Sequence, residues 1–61
     1  MPILHLELQP GRTPEQKRAF ASEATRVMVE TLGCPPESVD IVINEVSREN
    51  WAKAGTLYAD K

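Results

Sequence analysis

The chain reads as an α+β protein: a βαβ protomer with two parallel strands, one long helix and a short C-terminal hairpin, its sheet completed by oligomerisation. Three observations predict this. Ile3-Leu4-His5-Leu6-Glu7-Leu8 puts its three leucines on one face of a strand and Ile3, His5 and Glu7 on the other. Thr13-Pro14-Glu15-Gln16 opens a helical period that runs to Gly33. Val39–Val46 is rich in β-branched residues, as a second strand requires. Strand, long helix, strand implies a parallel pair joined by a right-handed crossover.

The first strand begins almost at the N-terminus, so Pro2 is held at a strand's edge. Gln9-Pro10-Gly11-Arg12 is a turn by composition. Thr13 is placed to cap the helix, Pro14 suits its first position, and Gln16 sits where a capping box needs its return side chain. Phe20, Ala24, Val27, Met28, Thr31 and Leu32 are expected on one helical face. Lys17, Arg18, Ser22, Glu23, Arg26 and Glu30 lie on or near the other. Gly33 is a natural C-cap, and Pro35-Pro36 forbids continuation. The tail from Arg48 to Lys61 carries Trp51, Gly55 and Tyr58 and is expected to form a short hairpin or hooked arm.

The chain is expected to be one domain over residues 1–61. That length, with 41% hydrophobic residues, sits near the lower limit of autonomous folding. A single cysteine excludes an internal disulfide, and one His beside one Cys is no set of zinc ligands. Oligomerisation is the remaining device. One helix covers only one face of a parallel sheet, leaving Ile3, Val42 and Val46 on a face that another subunit should cover. Seven basic against nine acidic residues, a net charge of −2, argue against nucleic acid or an anionic membrane as the main partner. Apolar runs are too short for a membrane span or a signal-peptide core, so a cytoplasmic location is expected.

Ordinary catalytic constellations are missing. His5 lies inside a strand, Cys34 lies between Gly33 and Pro35 without a base partner in the sequence, and Glu7, Glu45 and Glu49, which could pair as carboxylates in an assembly, read first as solvated surface groups. Pro2 is different. Removal of Met1 would leave a free secondary amine, and an α-amino group titrates near ~7.7–8. Desolvation and a nearby guanidinium both disfavour its charged form, which makes it a candidate general base.

A chain of this length that starts Met-Pro-Ile, with Gly11-Arg12-Thr13 before a capped helix carrying Glu15-Gln16-Lys17, resembles the 4-oxalocrotonate tautomerase family. Ser38–Glu45 and Trp51 fit the same pattern. The resemblance implies a cofactor-free hexamer of βαβ protomers acting on a small carboxylate, with Pro2 as general base for keto–enol proton transfer. It implies that Arg12, from a neighbouring subunit, binds a substrate carboxylate, that Trp51 forms an apolar wall, and that the backbone around Gln9 falls at the site. Substrates such as 2-hydroxymuconate or an enol pyruvate are in its range. One departure stands out: where well-known members carry a second arginine, this chain has Asp40. Lys53, or else Arg48, is the candidate to supply the missing positive charge. Alternative expectations are a dehalogenase or hydratase on the same scaffold, with Pro2 as acid, and a non-catalytic structural oligomer.

Overall fold

The computed structural model describes residues 2–61. In chain order they form β1 (Ile3–Leu8), α1 (Pro14–Leu32), β2 (Asp40–Glu45) and a hairpin of β3 (Ala52–Lys53) and β4 (Thr56–Leu57). Short 3-10 turns at Pro36–Ser38, Arg48–Asn50 and Tyr58–Asp60 join or close these elements. β1 and β2 pair in parallel, with Leu4 opposite Ile41, Leu6 opposite Ile43 and His5 opposite Val42. The ladder continues at both ends: Asp40 N–H donates to the Pro2 carbonyl at 3.0 Å, and Val46 N–H to the Leu8 carbonyl at 2.8 Å.

The helix forms where its punctuation lies. The Thr13 hydroxyl accepts from Gln16 N–H at 3.1 Å while the Gln16 side chain accepts from Thr13 N–H at 2.9 Å, a complete capping box. At the other end Gly33 adopts the left-handed conformation and its N–H reaches the Val29 carbonyl at 3.1 Å. The half-buried Lys17–Glu45 pair, at 2.6 Å, ties the first turns of α1 to the end of β2.

Strand alternation holds along β1 and in β2 as far as Asn44. Leu4, Leu6, Leu8, Ile41 and Ile43 are half-buried on the helix side, while Ile3, His5, Glu7, Asp40, Val42 and Asn44 face outwards. The helix is rotated from the expected face. Its half-buried residues are Lys17, Ala21, Ala24, Thr25, Met28 and Val29, whereas Phe20, Val27, Thr31 and Leu32 are exposed. Two apolar stripes overlap on α1, and the one with two alanines lets the helix lie closest to the sheet. The stripe through Phe20 and Val27 is left bare.

None of the described residues is fully buried. The Cα radius of gyration is 14.6 Å, against about 10.5 Å for a compact domain of this length. A protomer with this shape exposes Ile3 (53%) and Val42 (44%) on the outer face of its sheet. Among the described residues no helix is long and apolar enough to cross a membrane.

Candidate active site

Pro2 is half-buried at the start of β1. Lacking an N–H, it forfeits no ladder bond there, and its carbonyl is held by Asp40. Asp40 opens β2 opposite Ile3, so the residue standing beside the proline end of the sheet is a carboxylate. Met1, whose removal the sequence reading requires, lies outside the described residues.

The other predicted residues gather at the opposite end of β1. Gln9, Arg12 and Trp51 line one groove of about 510 Å³, together with Glu7, Leu8 and the intervening Pro10-Gly11. Gly11 has φ +127°, a conformation that side chains with a Cβ rarely adopt, and this bend lets the strand's end pass into the helix cap. Arg12 immediately precedes the capping Thr13, so the cap anchors its backbone. Among the described residues Arg12 has no ion-pair partner within the chain. On its other side Arg12 borders a smaller apolar recess of about 230 Å³, walled by Leu6, Leu8, Phe20 and Ile43.

Trp51 is held from behind. Tyr58 N–H donates to the Trp51 carbonyl at 2.9 Å, and the two rings lie 6.3 Å apart at 34°. Arg48 donates to the Tyr58 carbonyl at 2.8 Å, and the Lys61 ammonium sits 4.4 Å from the Tyr58 ring centre. Arg48 therefore serves the tail. Its guanidinium clamps the segment that presents Trp51. Lys53, on β3, is exposed, does not line the groove and forms no ion pair with Asp40.

Sequence reasoning passed over Glu7 as a solvated carboxylate, yet it lines the same groove as Arg12 and Trp51. The signal was present, since Glu7 is two residues before Gln9 on the outer face of the strand. Elsewhere, the hydrogen bonds that Arg26 donates to Glu23, and the charge of that carboxylate, stabilise the cationic form of Arg26 and raise its pKa. That pair lies on the exposed helix surface, away from the groove. Among the described residues no three His, Cys, Asp or Glu side chains cluster as metal ligands do.

Six residue steps of about 3.3 Å separate Pro2 from Leu8, roughly 20 Å in all. Within one protomer the proline and the groove thus sit at opposite ends of a strand.

The model of the tautomerase enzyme family matches residues 2–61. A 2-hydroxymuconate tautomerase of Comamonas testosteroni is 40% identical over 55 residues, covering 90% of this chain and 87% of that protein. A crystal structure of a 4-oxalocrotonate tautomerase homologue superposes with a TM-score of 0.95 at 39% identity, over 100% of this chain and 97% of the other. A heterohexameric 4-oxalocrotonate tautomerase of Chloroflexus aurantiacus gives 0.90 at 27% identity, over 98% and 97% of the two chains. These matches extend over both ends of β1, the capped helix and the C-terminal hairpin, and on that ground the chain belongs to the tautomerase family, among the isomerases of the 4-oxalocrotonate tautomerase type.

Proposed function

We infer that the protein is a cofactor-independent tautomerase whose general base is the secondary amine of Pro2, freed by removal of Met1. The neutral amine takes the proton of the enol hydroxyl as the C2 carbonyl forms and the carbon–carbon double bond moves along the chain. The prolinium returns that proton to carbon, which completes a 1,3- or 1,5-shift and restores the base. Arg12 grips the substrate carboxylate with two parallel hydrogen bonds. Trp51 and Leu8 form the apolar wall, and the backbone around Gln9 completes the groove.

The observation that carries this reading is the convergence of Gln9, Arg12 and Trp51 on one groove in a chain of this family. The distance from Pro2 to that groove makes the site composite: proline from one protomer, groove from a neighbour. A two-fold axis that reverses strand direction brings one protomer's Pro2 to its partner's Leu8 end. The absence of any fully buried residue among those described, and the bare stripes of Ile3 and Val42, and of Phe20 and Val27, support an oligomer. The heterohexameric relative supports six as the number.

Pro2→Ala tests the reading. Intact mass should show Met1 absent from the wild type, and ultraviolet assays on 2-hydroxymuconate and phenylenolpyruvate should show the variant slower by at least about 100-fold. Equal catalysed rates would remove Pro2 as the base, and no turnover by the wild type would assign the chain a non-catalytic role.

Asp40 favours one second reading. A carboxylate beside the amine stabilises the ammonium, and a protonated Pro2 could act as acid in hydration or dehalogenation. Halide release from a 3-haloacrylate faster than enol turnover would select it.

A further inference from the structure

We propose that the site is selective for monocarboxylates: an unsaturated 2-hydroxy or 2-oxo acid whose single carboxylate sits on Arg12 and whose far end is uncharged. This rests on the tautomerase reading above and names the substrate class within it. The basis is the charge of the surfaces that converge on the site.

Arg12 is the one basic residue lining the groove, and Glu7 lines it too. At the proline end of the sheet the neighbouring strand supplies Asp40. The cations that could offset these carboxylates are engaged or elsewhere. Lys17 is paired with Glu45 at 2.6 Å, and Arg48, turned to the Tyr58 carbonyl at 2.8 Å, and Lys53 both lie outside the groove's lining.

Among the described residues, a composite of the two ends therefore holds one groove-lining cation, Arg12, and two carboxylates, Glu7 and Asp40. A monoanion matches the cation. A dianion of similar size must bring its second carboxylate towards Asp40 or Glu7, where like charge repels it. An uncharged tail meets Trp51 and Leu8 instead, at no electrostatic cost.

Trp51 is the chain's only tryptophan, so its fluorescence reports binding in this groove without requiring turnover. The probes are 2-oxohexanoate and 2-oxoadipate, which share a chain length and differ only in the terminal carboxylate. At low salt the wild type should bind the monoacid at least about tenfold more tightly. Asp40→Arg should narrow or reverse that preference. Glu7→Gln should narrow it independently, which keeps the test open if Asp40→Arg assembles poorly. Equal or tighter binding of 2-oxoadipate by the wild type, or no saturable change with either probe, overturns the proposal. Turnover separates it from the reading beneath it. Monoacid preference in binding with full activity in Pro2→Ala sinks the proline mechanism and leaves the selectivity standing. Proline-dependent turnover without monoacid preference does the reverse.

Discussion

The backbone N–H of Asp40 donates to the carbonyl of Pro2 at 3.0 Å, which places a carboxylate-bearing residue on the strand beside Pro2. The hydrogen bond is part of the β-ladder and independent of the Asp40 side chain. Its charge can therefore be changed without disturbing the ladder.

Asp40→Asn removes the negative charge at this end of the sheet. A carboxylate raises the pKa of a neighbouring ammonium by favouring its charged form, so its loss should lower the pKa of the Pro2 amine. The base acts only when deprotonated. The acidic limb of kcat/KM should accordingly move to lower pH in the variant. An unmoved limb would mean that the Asp40 carboxylate does not face the base in the assembly.

Arg12→Lys keeps the charge and loses the two-pronged geometry. The expected result is a KM raised by roughly tenfold with a smaller effect on kcat, as loss of about one charge-assisted hydrogen bond would give. Arg12→Ala should lower kcat/KM by about 100-fold. Steady-state kinetics on an enol pyruvate measures both. Wild-type KM in Arg12→Ala would return the residue to the status of a solvated turn side chain.

Much of this was readable from sequence, for reasons that are local. The bounds of β1, the Thr13–Gln16 box, Gly33 as C-cap and the hairpin after Trp51 each rest on residues within a few positions of one another. The face of α1 was misread because Phe20, Val27, Thr31 and Leu32 share period with Ala24 and Met28; only packing against the sheet decides between two stripes. The Tyr58 carbonyl that Arg48 reaches is ten residues away in sequence and meets it only because the tail folds back. Glu7 was discounted because alternation shows that it faces outwards and says nothing of Trp51 coming round to meet it.

Thr13→Ala removes one half of the capping box and should cost about 1 kcal/mol per protomer. Urea unfolding at fixed protein concentration measures it. Because Arg12 precedes the cap, the variant should also bind substrate more weakly, and a stability loss with unchanged KM would separate the cap from the site.

Ala54 and Gly55 form the two-residue loop of the hairpin with φ of 53° and 84°. Positive φ at both positions is the pattern that favours Asn-Gly. Ala54→Asn should therefore stabilise the fold by about 0.5–1 kcal/mol. Thermal unfolding checks the sign, and a lower midpoint would mean that Ala54 makes contacts in the assembly that Asn cannot.

Subunit complementation gives the most direct test of a catalytic centre shared between protomers. Pro2→Ala and Arg12→Ala are each purified, shown to be inactive alone, then mixed, denatured and reassembled. Random mixing of two site halves should restore roughly a quarter of wild-type activity, from sites that combine an intact proline with an intact arginine. No recovery from the reassembled mixture would contradict the shared centre.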